Sequence, residues 1–257
     1  QVLPESQSTG LSSMMGPVPG LTERRGPDPR DSFWTWRQLM YRFLDRLTPE
    51  DVEAVAAFVQ MQMLEAGYAA VAEFHYVHHD RGGQPYADLA ELSGRVVAAA
   101  AQTGIGLTLL PVMYQFGGCD RRALVAGQDR FGNDPGRFAR LVEGAAGHMA
   151  RLPADCVLGV APHSLRAVDP EGLALVAALR PGAPVHIHLA EQTAEVEEVL
   201  AHRGARPVEW LLDNAAVDGR WCMIHATQML PDETLRLQRS GAVAGLGPIT
   251  ESSLGDG

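Results

Sequence analysis

Val185-His186-Ile187-His188-Leu189-Ala190-Glu191-Gln192 is a short apolar run that ends in two histidines and is followed by a carboxylate. Its length and β-branched content predict a buried strand. Side chains two apart on a strand share a face, so His186 and His188 point together, while Glu191 lies just past the strand end and can fold over it. Similar runs occur at Tyr68–Tyr76, Ile105–Tyr114, Val157–Pro162, Trp221–Ala226 and Ala242–Leu246. Nearly all end in a chemically capable residue: His75 and Tyr76, Tyr114, His163, His225. Helical patterns separate them, at about Asp88–Thr103, Pro135–Arg151, Pro170–Leu179, Ala194–His202, Pro207–Leu212 and Asp232–Ser240, several opened by proline or an acidic residue. Strands alternating with helices predict an α/β fold with a parallel sheet covered on both sides. A doubly wound sheet gathers its ligand contacts at one crevice, and no GxGxxG loop follows the first strand. In a (β/α)8 TIM-type barrel every strand delivers its C-terminal end to one mouth, which accounts for a polar group on successive strands. Six strands are readable, so the barrel is expected to be incomplete, with a degenerate strand before Asp31 and an eighth strand beyond Gly257.

Residues 1–30, rich in Gly and Pro without an apolar period, read as an irregular segment, and residues 31–257 as the partial barrel domain. From Asp31, Phe33, Trp34, Trp36, Leu39, Met40, Phe43, Leu44 and Leu47 recur at helical spacing. Thr48-Pro49-Glu50-Asp51 is a strong start for a second helix running to about Ala66. Threonine caps free amides, proline suits the first turn, and carboxylates suit the positive end of the dipole.

The composition removes whole classes of function. The 257 residues contain 21 basic and 31 acidic side chains, a net charge of −10, which argues against nucleic-acid binding. No lysine is present, so a Schiff-base lysine, a pyridoxal phosphate anchor and a Walker-type phosphate lysine are excluded. Cys119, Cys156 and Cys222 form no CxxC pair, so neither a disulfide framework nor a cysteine zinc site is indicated. No run approaches the ~18 apolar residues of a membrane span. The chain therefore reads as cytoplasmic, with no membrane partner.

Imidazole suits zinc, and a nearby carboxylate can move protons between water and a leaving group, so the HxHxxE pattern of His186, His188 and Glu191 is a candidate hydrolytic centre. Taken alone, such a pair is as well explained by histidines that cap a strand against the backbone. His225, at the end of the next strand, would sit beside His188 around the rim. Arg166, in Pro162-His163-Ser164-Leu165-Arg166, offers a planar fork to a carboxylate, or else makes a rim salt bridge. Trp34-Thr35-Trp36-Arg37 poses the same choice between substrate contact and helix packing. The Tyr76 hydroxyl is placed to meet a polar substrate. The spacing of His75, His78 and His79 follows a strand into a turn, which argues against metal binding.

Taken together, Phe74-His75-Tyr76, Pro162-His163-Ser164-Leu165-Arg166, His186-Ile187-His188-Leu189-Ala190-Glu191-Gln192, Ile224-His225-Ala226-Thr227 and Thr250-Glu251-Ser252-Ser253-Leu254-Gly255-Asp256-Gly257 resemble the amidohydrolase superfamily. Within it, Gly20-Leu21-Thr22-Glu23-Arg24-Arg25-Gly26 and Ser32-Phe33-Trp34-Thr35-Trp36-Arg37 resemble the formimidoylglutamate deiminases. The resemblance implies metal-dependent hydrolysis of N-formimino-L-glutamate to N-formyl-L-glutamate and ammonia, a step in histidine degradation. It also implies one zinc ion with His188 as a ligand, Glu191 as proton shuttle, and His225 as the contact to the hydrolytic water. Arg37, Tyr76, His163 and Arg166 are implied as the residues that hold a small dicarboxylate substrate; a homodimer is left open. The segment aligned with the family's first-strand HxH reads Gly10-Leu11-Ser12-Ser13-Met14-Met15, and the family's eighth-strand aspartate has no counterpart here; Asp256 belongs to the preceding loop. Weak zinc binding is therefore expected of the chain as given. The rival readings are a guanine deaminase-like or chlorotriazine-type hydrolase of the same superfamily, and a non-catalytic truncated paralogue.

Overall fold

Thr48 caps a helix as its sequence predicts. Its hydroxyl accepts the Asp51 N–H at 3.2 Å while the Asp51 carboxylate accepts the Thr48 N–H at 3.0 Å, a reciprocal capping box. Pro49 occupies the first turn of α1, Pro49–Glu65. The structure, a computed structural model, describes residues 44, 46–125 and 127–254. The segment 1–30, the expected strand within it, and Arg37 with nearly all of the helix expected from Asp31 lie outside those residues.

From α1 the chain alternates as expected: β1 (Ala70–His75), a 3-10 turn (Arg81–Gly83), α2 (Glu91–Thr103), β2 (Gly106–Met113), α3 (Pro135–Met149), β3 (Val157–Leu158), β4 (Ala161–Pro162) and α4 (Pro170–Leu179). It continues through β5 (Val185–Leu189), α5 (Thr193–Arg203), α6 (Pro207–Asn214), β6 (Trp221–His225), α7 (Pro231–Ser240), β7 (Val243–Gly245) and α8 (Pro248–Leu254). Proline opens α1, α3, α4, α6 and α7 within their first two positions, where its missing N–H has no helical acceptor to lose.

Among the described residues every strand pairing is parallel and joins strands adjacent or next-but-one in sequence. β1 pairs with β2, β2 with β3 and β4, β5 with β6, and β6 with β7. Bridges Val160–Val185 and Ser164–His188 join the β4 region to β5, supported by the His188 N–H to His163 carbonyl bond at 3.0 Å. A doubly wound sheet must reverse its strand order at a switch point, and this order never reverses, as in a (β/α) barrel wall. The run predicted as one strand, Val157–Pro162, is broken at Gly159. A Cβ there would lie 2.6 Å from Leu110 Cδ2 and 2.6 Å from the Pro184 carbonyl oxygen, so the neighbouring strands close in on bare backbone.

The core lies on both sides of this wall. Leu109, Leu110, Val112, Ile187, Leu189 and Met223 are fully buried, as expected for strands covered on both faces. Among the described residues no helix is long and apolar enough to cross a membrane.

Candidate functional site

The C-terminal ends of β5 and β6 lie side by side, with Leu189 in register with His225. The His188 and His225 rings stack at 5.3 Å between centroids and 25° between planes. His163 lies 5.1 Å from His188 on its other side, and Phe74 of β1 meets the His188 ring edge-on at 4.3 Å. His188 Nδ1 is 3.3 Å from the His163 carbonyl oxygen, so the neutral ring donates there and Nε2 becomes its basic atom. Burial, reinforced by His225, holds His188 well below the ordinary histidine range. His186, buried on the same face, is lowered to about 4 by desolvation.

Glu191, itself buried, places Oε1 3.5 Å from His225 Nε2. On the far side of that ring, Nδ1 is 3.2 Å from Glu251 Oε1, which also accepts the Gly247 N–H at 2.9 Å. Each nitrogen of His225 therefore faces a carboxylate. The Glu195 carboxylate reaches back from the first turn of α5 and accepts the Ala190 N–H at 3.2 Å and the Glu191 N–H at 3.0 Å. Ala190, His225 and Ala226 have φ of 52°, 72° and 54°, left-handed backbone on residues that carry a Cβ. Each such residue costs about 1–2 kcal/mol, so the strain is gathered at the two strand ends that present Glu191 and His225. The Thr227 hydroxyl donates to the Ala190 carbonyl at 3.1 Å and also reaches the Glu191 carbonyl, tying the two ends together.

Aromatic rings form the adjoining wall. Tyr114 packs 4.5 Å from His163, Tyr76 lies 6.0 Å from His163 and 4.7 Å from Phe131, and Gln128 donates to the Tyr114 hydroxyl at 3.1 Å. Arg166 is partly exposed beside them. Its Nε is buried without a partner, and among the described residues no hydrogen bond or ion pair engages its guanidinium. Burial opposes the charge, but the fields of Glu195, Tyr114, Glu191 and Glu198 outweigh it and hold the group above its ordinary value. From behind, Arg203 fixes the turn that bears Arg166 by donating to the Leu165 and Val168 carbonyls at 2.6 and 2.9 Å. Its guanidinium lies 4.5 Å over the Trp210 ring.

Of the residues singled out by sequence, His188, Glu191, His225, His163, Tyr76 and Arg166 come together around these strand ends, while Arg37 lies outside the described residues. His78 and His79 are bonded elsewhere in the fold. His78 Nε2 meets the Val112 carbonyl at 2.9 Å, and His79 Nε2 meets the Gly132 carbonyl at 3.0 Å and Asn133 Oδ1 at 3.1 Å. Sequence reasoning passed over Glu195, Glu251 and Arg203. Glu195 had a readable signal: a glutamate in the first turn of a helix commonly reaches back to free backbone amides.

The donor set answers in part to a divalent ion. His188, with Nδ1 tied to a backbone carbonyl and Nε2 basic, has the orientation of a ligating imidazole. Among the described residues, however, no group of three or more His, Cys, Asp or Glu side chains converges to hold a metal. A catalytic zinc takes three protein ligands. These residues alone do not complete such a site.

The model of the amidohydrolase family matches residues 21–257. Over 263 aligned positions the chain is 49% identical to a formimidoylglutamate deiminase of Pseudomonas aeruginosa, covering 100% of this chain and 56% of that protein. The crystal structure of an amidohydrolase from Brucella melitensis superposes with a TM-score of 0.91 at 54% identity, over 97% of this chain and 55% of the other. A zinc-bound adenosine deaminase from Xanthomonas campestris shares the fold at a TM-score of 0.72 and 19% identity, over 97% of this chain and 49% of the other. The chain thus spans about half the length of these proteins.

Proposed function

Because the chain belongs to the amidohydrolase family, a premise that fixes its fold as a TIM-type barrel, we propose that its site serves hydrolysis of N-formimino-L-glutamate. Water adds to the formimino carbon, the carbon–nitrogen bond breaks, and ammonia and N-formyl-L-glutamate leave. Arg166 is the observation that carries the reading. A guanidinium with a buried, unpartnered Nε and, among the described residues, no carboxylate bridging it can receive an anion. Guanine and chlorotriazines bear no carboxylate that would engage it, whereas a glutamate derivative bears two. Similarity to the Pseudomonas deiminase supports the same substrate.

In this reading one substrate carboxylate pairs with Arg166, and Arg37 receives the other. Tyr76 and His163 line the side on which the formimino group lies. Glu191 takes a proton from the attacking water through Oε1 and delivers it to the formimino nitrogen, then carries the remaining hydroxyl proton to the same nitrogen as the carbonyl forms and the carbon–nitrogen bond breaks, so that ammonia leaves. His225 Nε2, 3.5 Å from that oxygen, holds the water in line while Glu251 fixes the ring through Nδ1. His188 Nε2 is the ligand this chain would offer to a divalent ion, zinc in the proposal. Such an ion supplies Lewis acidity when bound.

The test is a chimera in which residues 44–254 replace the aligned stretch of the Pseudomonas relative. Ammonia release from N-formimino-L-glutamate is expected, and Arg166→Met is expected to abolish saturation at millimolar substrate. A folded chimera that deaminates guanine and leaves N-formimino-L-glutamate untouched overturns the assignment.

A further inference from the structure

Glu195 is buried and its carboxylate is bonded to backbone amides, so its role has to be sought in what it holds. A glutamate at the third position of a helix ordinarily reaches back to the N–H of the capping residue. Here the cap is Gln192, which makes no side-chain cap bond. The Glu195 carboxylate passes over it to the two amides before it, Ala190 at 3.2 Å and Glu191 at 3.0 Å, one on each oxygen. These amides flank the left-handed turn at Ala190, where φ is 52°. An L-residue held at such a φ relaxes toward ordinary backbone once its restraint is removed. Relaxation would swing the Glu191 side chain, because the turn sets the direction in which residue 191 leaves the strand. The same carboxylate provides the strongest of the negative fields acting on Arg166.

We propose that Glu195 is a positioning residue: its two charge-assisted bonds hold Ala190 in the left-handed conformation that aims Glu191 at His225. This deepens the functional reading and rests on it for the word catalysis, but the positioning itself is a property of the chain alone. Two hydrogen bonds to an ionised oxygen pair are each stronger than neutral ones. A glutamine at 195 keeps the shape but can accept only one of the two N–H groups and turns its own NH2 toward the other.

Two measurements on Glu195→Gln decide the matter. In the full chain, hydrogen exchange at the Ala190 and Glu191 amides should accelerate by about tenfold or more while strands β1 and β2 keep their protection. In the chimera described above, kcat for N-formimino-L-glutamate should fall about tenfold or more without a rise in KM, since geometry at the proton-transfer carboxylate is lost and substrate binding is not. Ala190→Gly in the same background should restore most of kcat, because glycine holds a positive φ without restraint. Unchanged exchange at 190 and 191, exchange accelerated throughout the chain, or failure of the glycine to restore kcat would each overturn the proposal. A wild-type chimera inert toward N-formimino-L-glutamate refutes the functional reading instead, and the exchange arm then still decides whether Glu195 holds the turn.

Discussion

Glu73→Gln is expected to stabilise the protein, by an amount that depends on pH. Glu73 lies on β1, is buried, and has an Oε1 atom without a hydrogen-bond partner. Desolvation alone pushes its carboxyl from the ordinary 4.5 up to about 7. In the unfolded chain the group ionises near 4.5, and in the fold near 7. Between those values the folded protein holds the extra proton, so stability falls as pH rises through this window and levels off above it. The gap corresponds to roughly 3 kcal/mol given up at pH 8, an order-of-magnitude figure. Glutamine keeps the shape and never ionises. The two proteins should therefore unfold at similar urea concentrations near pH 4.5, with the variant ahead by up to about 3 kcal/mol at pH 8. Fluorescence of the buried Trp221 reports the transition, and other titrating groups cancel in the difference between the curves. A stability difference that stays constant from pH 4.5 to 8, or one that favours the wild type at pH 8, refutes the reasoning.

His75, buried with an orphaned Nε2 and lowered to about 4 by burial, works in the opposite direction. The unfolded chain binds its proton first, so stability present above pH 6.5 is lost as pH falls toward 4, by roughly 3 kcal/mol, and His75→Asn should flatten that acid limb in urea titrations. Arg166→Met should weaken binding of L-glutamate to the full chain by about tenfold or more in calorimetry, with Arg166→Lys intermediate because an ammonium lacks the planar fork; unchanged affinity removes Arg166 from the site. Dialysed full chain should retain well under one zinc per molecule by elemental analysis, and one tightly held zinc per chain would show that ligands other than those described complete the site.

The sequence was most legible where local physics decides. Pro170–Leu179 follows the predicted bounds, and the reciprocal bonds of Thr48 and Asp51 are those the residue pattern implies. Alternation of strands with helices, nearly every strand ending in a polar group, indicated the barrel because one geometric cause produces both. The break at Gly159 was hidden, since it arises from the approach of Leu110 and Pro184, residues distant in sequence or on another strand. Left-handed backbone at Ala190, His225 and Ala226 left no trace in composition, because the usual marker of such conformations is glycine. Glu251 was quoted in its motif, yet its bond to His225 joins β6 to α8 beyond β7 and depends on how those ends are brought together.

Each strand of the wall pairs with one that lies a step or two earlier in the chain. Such a wall can be assembled in the order in which the ribosome delivers it. β2 docks on β1 as α2 closes behind it, and every later strand finds a finished neighbour. Loop closure at each step spans at most two helices, which bounds the entropic barrier to each addition. During synthesis the most recent strand presents a fresh exposed rim, so the interval in which that rim can pair with another nascent chain is set by the time needed to translate up to the next strand.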